Sequence, residues 1–173
     1  MKVINEDFSQ HKGERSEGGM GNSSKFGKSE KSKKIKAYVA GPLCSENERK
    51  FMEKLDKLCK KLKLKTFLPH RDAGLWKEGI SVEEIAKKDL KGFKKCDFMI
   101  ANLNGFSVGA GTAFEMGIAY EKKLPIIAIK TDRPASQSTE EISAIIAGLV
   151  KITNSFEELE KEIKNLIKNI KTN

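Results

Sequence analysis

The sequence predicts a three-layer α/β/α sandwich around a five-stranded parallel sheet. Three observations carry this. Short apolar runs alternate with helical stretches from about residue 35 to the C-terminus. The helical stretches show apolar residues at three- and four-residue spacing along one face. The run "LPIIAIK" (124–130) is continuous in apolar character, as a strand buried on both faces is. The resulting order, βαβαβαβαβα, closes into a parallel sheet with right-handed crossovers.

Taken in order, "IKAYVAG" (35–41) is a strand ending in glycine. A helix follows, with Ser45 as N-cap, Glu48 at capping-box spacing, and Phe51, Leu55, Leu58 and Leu62 on one face. "KTFLP" (65–69) is a second strand cut by Pro69, and "HRDAGLWKEGI" a loop. A second helix starts at Ser81 and runs to 95, and "CDFMIANL" (96–103) is the third strand. The glycine-rich "SVGAGT" opens a third helix over about 111–123, ahead of the fourth strand at 124–130. "STEEISAIIAGL" predicts a short helix, "VKIT" a fifth strand, and Phe156, Leu159, Ile163, Leu166 and Ile170 the buried stripe of a last helix.

Residues 1–33 are different. They are Gly, Ser and charge with almost nothing to bury, which predicts a disordered basic tail ahead of a catalytic domain at 34–173. A basic tether for nucleic acid or a partner is the alternative, but Glu14, Glu17 and Glu30 dilute its charge.

A chain of 173 residues fits one domain. The net charge of +9, from 33 Lys+Arg against 24 Asp+Glu, suits nucleic acid, an anionic small substrate or simple solubility. Aromatics are only 7% and no Arg stripe interleaves with them, so no nucleic-acid partner is expected. Cys44, Cys59 and Cys96 have neither disulfide nor zinc spacing, and no metal or cofactor is expected. Cys59 and Cys96 read as small core residues, Cys44 as a loop residue. No run approaches the roughly 20 apolar residues of a membrane span, and the N-terminus lacks an apolar leader, so a cytoplasmic location is expected.

In an open parallel sheet, ligands sit beyond the carboxyl ends of the strands, near the switch in strand order. "AGPL", "PHRD" and "NGFSVGAGTAFE" all fall at such ends, so one cleft lined by these loops is expected. Within the last of them, Thr112 and Glu115 have capping-box spacing, with Thr112 as N-cap and Glu115 at N3. Equally, Gly109 and Gly111 let a ligand approach the main chain. A glutamate there, kept ionised by the helix dipole, is placed to attack an anomeric carbon. The segment is neither a dinucleotide fingerprint nor a P-loop.

"AYVAGPLC", "FLPH", "KKDLKGFKKCDFMIANL", "GAGTAFEMGIAYEKKLPIIAI" and "ISAII" occur in an order that resembles the nucleoside 2-deoxyribosyltransferase family, which includes 2'-deoxynucleoside 5'-monophosphate N-glycosidases. The resemblance spans about residues 35–150 and implies a flavodoxin- or Rossmann-like fold. It also implies roles. Glu115 matches the glutamate that attacks C1' of the sugar and becomes glycosylated. Tyr38 matches the tyrosine that positions it, and Asp89 the aspartate that delivers a proton to the leaving base. Gly41 and Pro42 match the turn bordering the sugar. His70 matches a substrate-side histidine of the monophosphate branch. Ser143 matches a serine of that branch that reaches a neighbouring subunit's phosphate site, which implies a homodimer or larger assembly.

Each residue also has a plainer reading: Tyr38 as core, Asp89 as a solvated helix face, His70 and Trp76 as loop residues, Ser143 as an ordinary helix residue. Asp97 reads as a strand cap. Arg71, Lys94 and Lys95 are candidates for drawing in an anionic nucleotide. Two positions depart from the family. Gly109 stands where transferases carry an aspartate and the monophosphate hydrolases typically a serine, here found only at Ser107. Ser143 stands where transferases usually carry an asparagine. The core therefore matches the family as a whole, while Ser143 leans toward phosphate recognition. The competing readings are a cytokinin-type phosphoribohydrolase, whose second upstream signature with Arg is not found, and a nucleotide-sensing module without turnover.

Overall fold

A computed structural model describes residues 34–76, 81–134, 137 and 141–172. The expected tail at 1–33 lies outside the described residues. The elements follow in order as β1 (Lys36–Ala40), α1 (Glu46–Lys61), β2 (Lys65–Phe67), α2 (Pro69–Asp72), α3 (Val82–Phe93), β3 (Phe98–Asn102), α4 (Ala110–Glu121), β4 (Ile126–Ile129), α5 (Ala144–Leu149), β5 (Lys151–Thr153) and α6 (Phe156–Thr172). All strand pairs are parallel, in the order β2-β1-β3-β4-β5. This is the flavodoxin-like order, and its switch point lies between β1 and β3.

Strand residues alternate between two cores, because successive side chains leave opposite faces of the sheet. Ala37, Val39, Phe98, Ile100, Ile127 and Ile129 face α1 and α6, meeting Met52, Leu55, Leu58, Leu159 and Ile163. Tyr38, Ala40, Met99, Ala101 and Ala128 face the other way, against Phe93 of α3 and Met116 and Ala119 of α4. The small residues Ala40, Ala101 and Ala128 let α4 approach the sheet closely. Both helical stripes expected from spacing, on α1 and α6, face the first core.

Local signals hold at several ends. Ser45 and Glu48 form the full capping box of α1, and Ser81 caps α3 by accepting from the Glu84 N–H. Asp97 ties the start of β3 to β1 by accepting from the Lys36 N–H at 2.9 Å, as a strand cap should. Two expectations change. Pro69 does not open a loop: it starts the single turn of α2, where its missing N–H costs nothing. The helix expected from "STEEISAIIAGL" is described only over Ala144–Leu149, and its residues 138–140 lie outside the described set. Cys59 and Cys96 are buried and Cys44 is exposed. No helix among the described residues is long and apolar enough to cross a membrane.

Candidate active site

The site is assembled at the switch point from β1, α3 and α4. Tyr38 occupies the middle of β1 and is fully buried on the α3/α4 face. Its ring stacks on two phenylalanines, Phe93 at 3.7 Å between centroids and Phe67 at 5.1 Å. A Cβ on Gly92 would fall 2.8 Å from the Phe67 ring, so glycine there lets α3 close onto this stack. The stack fixes the ring, and the hydroxyl donates a 2.6 Å hydrogen bond to Oε1 of Glu115. The phenol is held far above its ordinary range, first by burial and then by the neighbouring carboxylate, so it stays a donor.

Glu115 lies on the inward side of α4, beside the buried Thr112, Met116 and Ala119. The helix begins earlier than its spacing suggests. Gly109 is the N-cap, with no side-chain capping bond, and Thr112 lies inside the first turn. Glu115 is therefore in the second turn, too far along to close a capping box, and its carboxylate turns to Tyr38 instead. The expected dipole effect is likewise overturned, since the dipole fades within the first turn. Burial pushes the Glu115 carboxyl up from 4.5 to about 7, the Tyr38 hydrogen bond opposes that, and the charge of Asp89 adds to it.

Asp89 projects from α3 one turn before Gly92 and Phe93, on the face those residues press to the sheet. It is half-buried, and its Oδ1 is buried without a hydrogen-bond partner. Burial raises its carboxyl from 3.8 to about 6. Its charge acts on both Tyr38 and Glu115. The two acids therefore titrate as a pair: the first ionisation places charge on Asp89, and that charge holds the second proton on Glu115. Two half-buried carboxyls with raised pKa values and a buried phenol form a cluster suited to nucleophilic and proton-transfer chemistry.

The profile of the family described as nucleoside 2-deoxyribosyltransferase matches residues 37–168. The chain belongs to the nucleoside 2-deoxyribosyltransferase family. No curated protein sequence matches it. Among solved structures, a conserved protein from Enterococcus faecalis V583 is 26% identical over 77% of this chain and 99% of its own, with a TM-score of 0.62. A 2-deoxyribosyltransferase from Leishmania mexicana is 20% identical over 72% and 93%, with a TM-score of 0.57. A CMP N-glycosidase from Clostridium botulinum is 21% identical over 74% and 98%, with a TM-score of 0.50. The last two share the fold. Membership supports nucleoside deoxyribosyl transfer or N-glycosidase chemistry in this chain.

The other residues expected from the family pattern are placed unevenly. Gly41 follows β1 where a Cβ would meet the Met52 sulfur at 2.5 Å and the Asn102 Cβ at 2.8 Å, so close packing at the switch point already demands glycine. Pro42 beside it is half-buried. At Gly111 a Cβ would meet nothing within 4 Å, and at Gly109 only the Thr112 hydroxyl at 3.8 Å. Packing does not require glycine at either, and their bare backbone faces outward at the start of α4.

His70 is not brought to Glu115. It sits in α2 with Nε2 3.8 Å from Glu53 of α1, on the other side of the sheet, and its Nδ1 is buried without a partner. Burial lowers its pKa, against the pull of Glu53, so the imidazole is neutral near pH 7. Arg71 is engaged internally with Asp56 and Asp72 rather than aimed outward. Trp76 is exposed. Ser143 is the exposed N-cap of α5, makes no capping bond, and borders an apolar groove of about 270 Å³ with Tyr120, Ile145 and Leu149.

The sequence reading missed Phe67, Gly92 and Phe93, which build the Tyr38 stack. A glycine inside a strong helical pattern, as in "LKGF", was the available signal for close packing.

Proposed function

We propose that this chain cleaves the N-glycosidic bond of a 2'-deoxynucleoside or its 5'-monophosphate through a glycosyl-Glu115 intermediate. A Glu115 oxygen bonds to C1' as the C1'–N bond breaks, and Asp89, or water held by it, gives the departing base its proton. In the second half a base nitrogen or water attacks C1', the ester to Glu115 breaks, and Asp89 takes the incoming proton. Double displacement retains configuration at C1'. Tyr38 holds one Glu115 oxygen and so aims the other, and the carboxylate stabilises positive charge developing at C1'. The catalytic unit is residues 34–173.

The observation that carries this reading is the 2.6 Å bond from the buried Tyr38 hydroxyl to Glu115, beside the unpartnered oxygen of Asp89. A module that only binds a nucleotide has no use for two raised carboxyls and a fixed phenol together. The backbone at Gly109 and Gly111, open at the start of α4, suits a sugar oxygen or a phosphate. Gly41 and Pro42 border the sugar.

Substrate is distinguished by incubating the purified chain with dAMP, dGMP, dCMP, CMP and the free deoxynucleosides, with and without adenine, and separating the products. Free base from monophosphates alone identifies a hydrolase. Base exchange between nucleosides identifies a transferase. Tight binding without base release over hours refutes the enzymatic reading.

Ser143 belongs to a second copy's site in this proposal, which makes the chain a homodimer through the face bearing Tyr120, Ile145 and Leu149. These side chains are 58%, 69% and 52% exposed, a large apolar area for α4 and α5 to leave in water. Sedimentation of wild type and Ile145→Asp tests this. A monomeric wild type overturns it.

A further inference from the structure

Lys130 follows β4 and is fully buried. A buried ammonium needs several partners, and this one has four. Its Nζ lies 3.0 Å from an Asp132 oxygen and 2.8 Å from Glu141, and it donates to the carbonyls of Leu103 and Gly105 at 3.3 and 3.1 Å. The two carbonyls belong to the β3–α4 loop, and the two acids belong to the segments at the start and the end of the β4–α5 connection.

The same loop is fastened at further points from those segments. The Gly105 N–H donates to Asp132 at 2.7 Å, Asn104 exchanges hydrogen bonds with Thr131, and the Val108 N–H donates to the Glu141 carbonyl at 3.3 Å. Arg133 also reaches Glu141, at 2.7 Å. Gly109, the next residue after Val108, begins the helix that carries Glu115.

We infer that Lys130 is a positioning residue: its buried ammonium ties the β3–α4 loop and the Glu141–Ser143 segment to the end of β4. It thereby fixes where α4 starts and so where Glu115 meets Tyr38. The inference rests on the proposed role of Glu115 for its catalytic consequence, but the strut itself is independent of it. Lys130 does not touch substrate; it acts through the loop. It also explains how two segments on either side of α4 hold one register: Ser143, two residues after Glu141, is carried by the same anchor.

The test uses the full chain with Lys130→Met, which keeps length and removes charge, and Lys130→Gln, which removes the charge but keeps a donor for the Leu103 and Gly105 carbonyls. Hydrogen exchange by mass spectrometry is read over 103–109 and 141–149 against β1 and α1, alongside kcat and KM on the best deoxynucleoside or monophosphate. Lys130→Met is expected to speed exchange in the first two segments alone and lower kcat about 10²-fold, with KM nearly unchanged, the size of effect that a misplacement near 1 Å produces. Lys130→Gln gives the same pattern, smaller, and carries the test if Lys130→Met does not fold. Unchanged loop exchange in the folded variants, or loosening shared equally by β1 and α1, overturns the strut. A loosened loop with kcat within about twofold of wild type overturns the positioning role. If wild type releases no base from any substrate, the proposed function has failed, and the exchange pattern still decides the strut.

Discussion

Glu115→Gln tests the chemistry and the electrostatics of the site in one substitution. Gln keeps the shape, and its amide oxygen still accepts from Tyr38, so the stack with Phe67 and Phe93 is undisturbed. Only the ability to ionise is lost. Burial carries the Glu115 carboxyl from 4.5 to about 7. At about 1.4 kcal/mol per pKa unit this places roughly 3 kcal/mol against the folded state once the group is ionised.

The sign follows from the direction of the shift. Below pH 4.5 the carboxyl is protonated whether folded or not, and Glu and Gln differ only by a constant. As pH rises through the window from 4.5 to about 7, the unfolded chain ionises first and wild type loses stability. Above that window the deficit is complete and level. Between about pH 5 and about pH 8, Gln should therefore gain on Glu by about 2–3 kcal/mol. The constant depends on how well the new amide is hydrogen-bonded, but the change with pH does not. Urea unfolding of both proteins across that range gives the difference directly. Turnover should fall on the order of 10⁴-fold or more, as when a nucleophile is deleted. A stability difference that does not move with pH would falsify the burial argument. Turnover within tenfold of wild type would remove Glu115 from the nucleophile's role.

Three further outcomes are expected. Tyr38→Phe keeps both ring stacks but removes a buried hydrogen bond worth about 1 kcal/mol. Because that bond lowers the Glu115 pKa, the alkaline limb of the kcat/KM profile should move to higher pH and its maximum should fall; an unmoved limb contradicts this. Asp89→Asn should cost about 10²–10⁴ in kcat on ordinary deoxynucleosides. It should cost little on 7-methyl-2'-deoxyguanosine, whose base departs without needing a proton, and equal losses on both would exclude Asp89 as the acid. For wild type, kcat/KM on a neutral deoxynucleoside should be bell-shaped, falling below about 6, where both acids are protonated, and above about 7, where both are ionised. A deoxynucleoside is used because the second phosphate ionisation of a monophosphate lies near 6. A rate independent of pH from 5 to 8 would sink the paired-acid account.

Much of the fold was legible because its signals are local. Ser45 with Glu48, Ser81 before "VEEI", and the stripes of α1 and α6 each lie within a few residues of what they specify. The strand order was not legible in this way, since it is decided by which faces meet, yet alternation alone restricted it to a parallel sheet. The candidate site divides along the same line. Glu115, Tyr38 and Asp89 are singled out by a family pattern, but their meeting depends on separations of 77 residues and on a glycine that lets α3 close down. The capping-box reading of Thr112 and Glu115 failed for a physical reason. A helix start is set by the loop before it, and that loop is anchored through Lys130, whose partners are spread over nearly 40 residues of sequence (103–141).

The order of the two ionisations bears on how such a site is kept safe. Asp89 ionises at about 6 and Glu115 at about 7. In the singly protonated pair, the proton therefore rests mainly on Glu115, and the arrangement with a free nucleophile and a protonated acid is the minor one. On the proposed roles, seating a substrate reverses the order. A base nitrogen beside the half-buried Asp89 removes its remaining water and favours its protonated form. Positive charge growing at C1' favours Glu115 as the carboxylate. The proton then moves to where it is used only when sugar and base are both present. Tyr38 suits this exchange because its hydroxyl can rest on Glu115 in either state, and its own pKa is too high for it to join the titration. On the proposed roles, the pairing of Asp89 with Glu115 thus ties release of the nucleophile to substrate occupancy.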